Sequence, residues 1–159
     1  MVGFRHFCAV DKADRLTPVP CGVISAEPKG RERERDECEM STTIIREMRF
    51  EAAHFLPKTP EGHKCRRLHG HSYVIEIHVT GEVDPETGWV CDFDELRQAF
   101  LPLRVQLDHH TLNEVGGLEN PTSEVLAGWL WERMILLLPG LTAVVVHETC
   151  TSRCVYTGP

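Results

Sequence analysis

The stretch Cys65-Arg66-Arg67-Leu68-His69-Gly70-His71 carries the densest chemistry in the chain. On an extended strand, residues two apart share a face, so His69 and His71 aim both imidazoles at one point. Gly70 between them leaves the opposite face open to close approach. His54 stands at the end of a preceding strand, beside Ala52 and Ala53. If the two strands pair, His54 comes near the other two histidines. Three imidazoles make a good zinc site, with a fourth position that is open in catalytic centres and filled in structural ones. Cys65 leaves both outcomes available. It can close a structural site as fourth ligand, or stand beside the metal as a thiolate among Lys64, Arg66 and the cation.

Two further groups have chemical potential. In Leu107-Asp108-His109-His110, an aspartate can orient an imidazole or share a proton with it. The same residues also suit a helix C-terminus, where histidine meets the helix dipole favourably. Glu148 follows Val144-Val145-Val146 near the end of a strand. It is either an exposed strand end or a bidentate acceptor for adjacent N–H donors, such as an amidine-like heterocycle edge. Thr122, Ser123 and Glu124 are first a helix cap. Trp129 and Trp131 read as core or interface. His63, His78 and His147 read as ordinary surface or half-buried histidines.

The elements that hold these residues follow from periodicity. Ile44, Met48, Phe50 and Ala52 fall on one parity, with Arg46 the exception, which predicts a strand with one buried face. A loop with Pro57, Pro60 and Gly62 follows. Tyr73, Ile75, Ile77 and Val79 alternate as a second strand. Asp84-Pro85-Glu86-Thr87-Gly88 is a turn by composition, and Trp89 to Cys91 reads as a short third strand. Asp92 with Glu95 opens a helix, continued by Leu96, Phe100, Leu103 and Leu107, which Pro102 should kink or interrupt. Asn120-Pro121 starts a second helix, with Val125, Leu126, Trp129, Leu130, Ile135 and Leu137 on its apolar side, ended by Pro139-Gly140. Leu141 to Thr149 is a β-branched strand, and Arg153 to Tyr156 a further short one. Strands joined by turns predict an α+β domain, an antiparallel sheet with both helices on one face.

The 159 residues, 42% hydrophobic and 26% charged, suit one globular domain. The longest apolar run, Met134 to Leu138, is too short to cross a membrane as a helix. A net charge of -7 and a pI near 5.7 argue against nonspecific nucleic-acid binding. A phosphorylated substrate then needs a local basic patch. The seven cysteines, an odd count without a secretory signal, read as free thiols and place the chain in the cytoplasm. Residues 1–39 differ from the rest. They are rich in proline and glycine and end in the charge run Arg31 to Glu37, so a disordered leader is expected, with Met40 as the native start. The domain is then 40–159, with a charge of about -6.

Taken together, His54, Cys65-x3-His69-Gly70-His71, Leu107-Asp108-His109-His110 and Glu148-Thr149-Cys150 resemble the 6-pyruvoyl-tetrahydropterin synthase superfamily. Phe50-Glu51-Ala52-Ala53, Gly81-Glu82-Val83-Asp84-Pro85 and Leu118 to Leu126 match as well, so the resemblance spans nearly all of 40–159. The three residues between Cys65 and His69 resemble the 6-carboxytetrahydropterin branch of queuosine biosynthesis; the pyruvoyl branch carries a longer insertion there. The resemblance implies the tunnelling fold, a four-stranded antiparallel sheet with two helices on one face. It implies homo-oligomers with active sites between subunits. It implies zinc on His54, His69 and His71, Cys65 as general base, Asp108 and His109 as proton relay from a neighbouring subunit, and Glu148 as anchor of a pterin ring. The implied substrate is 7,8-dihydroneopterin triphosphate; the implied products are 6-carboxytetrahydropterin, acetaldehyde and triphosphate.

Overall fold

The computed structural model describes residues 41–159. The expectations for residues 1–39 and for Met40 lie outside the described residues. The first two alternating stretches form β1 (Thr42–His54) and β2 (His69–Gly81). They pair antiparallel along their whole length, from Thr42 opposite Gly81 to His54 opposite His69. The register puts Phe50 opposite Tyr73 and Met48 opposite Ile75, so the apolar parity of both strands faces one side. Phe50 and Tyr73 stack with ring centroids 5.0 Å apart.

On that side lie α1 (Phe93–Leu107) and α2 (Ser123–Met134). Asp92 and Glu95 form the expected capping box at the start of α1. Leu96, Phe100, Leu103 and Leu107 of α1 and Leu126, Leu130 and Met134 of α2 are buried in a single core with the strands. Each such side chain contributes roughly 1.5–3 kcal/mol through area removed from water. Between the helices, β3 (His110–Thr111) pairs parallel with β1. After α2, β4 (Leu141–Thr149) and β5 (Ser152–Tyr156) complete the sheet in the order β3-β1-β2-β4-β5. No helix among the described residues is long and apolar enough to cross a membrane.

The α+β class stands, and four details of the expectation change. The sheet has five strands and is mixed, because the two-residue β3 adds a parallel edge to the antiparallel four. Trp89–Cys91 is no strand; the segment closes a turn in which Asp84 and Trp89 are joined by a backbone hydrogen bond of 2.8 Å. Pro102 does not interrupt α1; it sits on the exposed side of the helix. Val125 and Leu137 point outward, and α2 ends at Met134, before Pro139-Gly140.

Gly140 opens β4 with φ 86, and a Cβ there would come within 2.7 Å of the Thr80 carbonyl. Gly140→Ala is therefore expected to destabilise the fold by about 1–3 kcal/mol, read as a shift of the urea midpoint.

Candidate metal centre

The β1–β2 register does what the sequence spacing demanded. His54 lies opposite His69, and His71 opposite the small Ala52. All three share the core face at the end of the sheet. The His54 ring is 1% exposed, and its Nδ1–H donates to the Pro121 carbonyl at 2.9 Å. The Tyr73 hydroxyl lies 3.2 Å from the same nitrogen. His69 donates from Nδ1 to the Arg67 carbonyl at 2.7 Å. A carbonyl only accepts, so each ring carries a proton on Nδ1, and in the neutral ring Nε2 has the lone pair that can bind a cation. Those two nitrogens face each other at 3.1 Å.

Glu148 completes the cluster. Its position in β4 coincides with a slip of register between His147 and Thr149 against β5, a bulge beside the site. Glu148 Oε1 lies 3.0 Å from His71 Nε2 and 3.4 Å from His54 Nε2, while Oε2 accepts from Ser123 Oγ at 2.7 Å. The four donor atoms, one each from His54, His69, His71 and Glu148, all lie within 4.8 Å of one another. His71 Nε2 is buried, and its 3.0 Å approach to Glu148 lacks hydrogen-bond geometry.

The charge state fits a cation. His54 beside it, joined by the Ser123 hydroxyl and His71, outweighs the cost of burial and pushes the Glu148 carboxyl down to about 2. Burial, reinforced by the neighbouring His54 and His69 rings, outweighs Glu148 and lowers His71 below the ordinary histidine value. A neutral ring is the metal-binding form. One shared proton can serve one donor pair. Four converging donors, one a buried nitrogen without a hydrogen bond, could hold a metal ion. Three imidazoles with one carboxylate oxygen suit zinc.

Cys65 stands apart from this donor set. It lies in one turn of 3-10 helix, Lys64–Arg66, where its N–H donates to His63 Nδ1 at 3.2 Å and its carbonyl accepts from Leu56 N at 2.7 Å. It lines a cleft of about 650 Å³ with His69, His71, Glu148 and Thr149. The fourth donor grouped with the histidines is thus the Glu148 carboxylate, and Cys65 lines the cleft beside them.

Asp108 and His109 are pinned to β1. Asp108 Oδ1 accepts from Glu51 N at 3.0 Å and lies 3.0 Å from His109 Nδ1; Arg104 holds Oδ2 at 3.1 Å. The Glu51 N–H, with His109 and Arg104, lowers the Asp108 carboxyl below its usual range. His109 takes φ 61 at the end of α1 and donates its N–H to the Glu51 carbonyl at 2.6 Å. The C-cap of α1 is Asp108, whose N–H donates to the Arg104 carbonyl at 2.8 Å, and His109 follows it, so both lie at the helix C-terminus as the dipole reading expected. His109 lines a second cleft, of about 460 Å³, with Glu51, Gly70, His71 and Ser72. The Cys65 and His109 clefts have only His71 in common, so one chain does not bring the two side chains to one pocket.

Sequence reasoning missed two polar partners. Ser123, read as a cap residue, turns its hydroxyl to Glu148, while Thr122 Oγ1 caps α2 by accepting from Val125 N at 3.3 Å. Tyr73, read only as core, touches His54 through its hydroxyl. No local signal marks either one, because both depend on which elements the tertiary fold stacks together.

These observations agree with comparisons to known proteins. The family model for 6-pyruvoyl tetrahydropterin synthase matches residues 43–159. The 6-carboxy-5,6,7,8-tetrahydropterin synthase of Synechocystis sp. is 46% identical over 122 residues, 73% of this chain and 93% of that protein. The enzyme of the same description from Bacillus subtilis is 32% identical over 128 residues, 73% of this chain and 85% of its own. The solved structure of Caenorhabditis elegans 6-pyruvoyl tetrahydropterin synthase superposes with a TM-score of 0.70 at 29% identity, covering 76% of this chain and 97% of that one. With its histidine cluster, its sheet and its sequence all agreeing, the chain belongs to the 6-pyruvoyl tetrahydropterin synthase family.

Proposed function

We propose that residues 40–159 form a zinc-dependent lyase that converts 7,8-dihydroneopterin triphosphate and water to 6-carboxy-5,6,7,8-tetrahydropterin, acetaldehyde and triphosphate. One observation carries this reading. Two histidines anchored through Nδ1 to backbone carbonyls turn their Nε2 atoms to a common point, and Cys65 lines the same cleft without joining the donor set.

Zinc held by His54, His69 and His71 would act as a Lewis acid toward the side-chain oxygens of the substrate. The chain's own residues supply the rest. Cys65, as thiolate, takes a proton from a side-chain carbon next to such an oxygen. His109, oriented by Asp108, supplies or accepts the second proton. Because Cys65 and His109 line different clefts of one chain, that pair is assigned to a neighbouring subunit of a homo-oligomer. Triphosphate is eliminated, the ring takes up the two electrons that the side chain loses, and water adds to the side-chain carbonyl next to the ring, so that carbon–carbon cleavage leaves the carboxylate and releases acetaldehyde. Glu148 accepts the adjacent N–H groups of the pterin ring, with Ser123 holding its second oxygen. With Glu148 engaged by the ring, His54, His69 and His71 would be the residues that hold the zinc. We place this reaction in queuosine biosynthesis, in the cytoplasm.

The test is the release of acetaldehyde from 7,8-dihydroneopterin triphosphate by purified protein, with and without a chelator. Turnover that survives complete removal of metal would overturn the reading. The mass of the pterin product separates the carboxy reaction from the pyruvoyl reaction, since only the former loses the two terminal side-chain carbons. The short Cys65–His69 spacing favours the carboxy product. Deleting residues 1–39 is expected to leave turnover unchanged; a large drop would show that the leader takes part.

A further inference from the structure

The cleft that holds Cys65 has a cationic wall that the histidine cluster does not use. Lys64 and Arg67 line it, together with the hydroxyl residues Thr149 and Ser152. The local backbone explains which cations are presented. Lys64 opens the 3-10 turn and Arg67 is its extended C-cap, and both line the cleft. The turn closes through Arg67 N–H donating to the Lys64 carbonyl at 3.2 Å. Arg66, between them, is turned away and donates from its guanidinium to the Thr59 carbonyl at 2.7 Å.

Six described cations have no carboxylate within 4.0 Å, namely Arg46, Lys58, Lys64, Arg66, Arg67 and Arg153, and of these only Lys64 and Arg67 line the cleft. Arg49, Arg97, Arg104 and Arg133 each face a carboxylate within 4.0 Å. Among the described residues, neither Lys64 nor Arg67 has a carboxylate within that distance. In a chain of net charge -7, two unpaired cations lining one cleft make a local reversal of sign beside a reactive site. Arg67 is also tied to the centre itself, because its carbonyl accepts from His69 Nδ1 at 2.7 Å. Its main chain is thereby fixed relative to the histidine that faces the metal position.

We infer that Lys64 and Arg67, and not Arg66, form the binding site for the polyphosphate tail of the substrate. The inference rests on the proposed reaction only for the identity of that substrate. Lys64 supplies a point charge and Arg67 a planar fork that matches two phosphate oxygens. The hydroxyls of Thr149 and Ser152 stand on the same cleft as further donors.

The experiment titrates inorganic tripolyphosphate into the full-length, zinc-loaded protein by calorimetry, and measures kcat and KM for the phosphorylated pterin in parallel. Lys64→Gln and Arg67→Gln are each expected to weaken tripolyphosphate binding about tenfold, with KM raised by a similar factor and kcat nearly unchanged. Arg66→Gln, which removes a charge but keeps a donor for the Thr59 carbonyl, is expected to bind as the parent does. Affinity in the parent should fall steeply with salt. If the Lys64→Gln/Arg67→Gln double variant binds tripolyphosphate like the parent, or if Arg66→Gln loses as much as either, the assignment is overturned. The two readings fail separately. Absence of turnover with tripolyphosphate binding still lost in the double variant would sink the lyase and keep the phosphate site. Turnover with unaltered KM and affinity in the double variant would keep the lyase and sink the site.

Discussion

His69→Ala is expected to strip the protein of zinc and of activity in the same step. His69 contributes one of the two rings anchored through Nδ1 to a backbone carbonyl. Its ring is held in place before any ion arrives, so the loss removes a preorganised ligand. Disturbing only an outer partner of a metal ligand costs roughly 10–100-fold in affinity, so losing the ligand should cost on the order of 100-fold or more. His69 is a cleaner choice than His54. The latter is 1% exposed among core residues, so truncating it would also leave a cavity and blur metal loss with unfolding. His69 is half-buried at the mouth of the cleft. The measurement is zinc per chain by atomic absorption after dialysis, with far-ultraviolet circular dichroism to confirm the fold. His78→Ala is the control, because that ring belongs to a separate pair with Glu76 at 2.9 Å. A His69→Ala protein that keeps one zinc per chain would remove the metal centre from the argument.

The route from sequence to this centre worked where a rule is local or strictly periodic. The period of two in Phe50-Ala52-His54 and in His69-His71-Tyr73 places all three rings on the face that also carries the core, and the antiparallel register then sets His54 opposite His69. The capping box of Asp92 and Glu95 is equally local, and it forms. What escaped depends on tertiary placement. The two residues of β3 pair with β1 because α1 ends there, with Asp108 and His109 both bonded to the Glu51 backbone. Nothing in the composition of His110-Thr111 marks it as a strand. Pro102 looks like a helix breaker until its exposed side is known. Trp89 to Cys91 has apolar content like a strand, yet its backbone is spent closing the turn from Asp84. Glu148 was legible as a carboxylate at a strand end, and its nearness to the histidines was not, because β4 reaches β2 only after both helices have intervened.

Cys65→Ala is expected to keep its zinc and lose its turnover, and this pairing of outcomes decides between the two roles that the sequence left open for the thiol. A structural site with sulfur as fourth ligand would lose metal when the sulfur goes. In the fold, the fourth donor facing the histidines is the Glu148 carboxylate, with Cys65 on the cleft wall. Metal stoichiometry should therefore match the parent. A positioned general base contributes typically 10²–10⁴-fold to rate, so acetaldehyde release should fall by about that factor. Stability should hardly change, since the side chain is half-buried on a surface turn whose hydrogen bonds to His63 and Leu56 run through the Cys65 backbone and survive the substitution. The substrate affinity should also persist, because Glu148, Lys64 and Arg67 remain. Loss of zinc in step with loss of the thiol would return Cys65 to the ligand set. Undiminished acetaldehyde release from a zinc-replete Cys65→Ala protein would remove the sulfur from the chemistry altogether, and proton abstraction would then have to fall to a histidine or carboxylate of the same cleft.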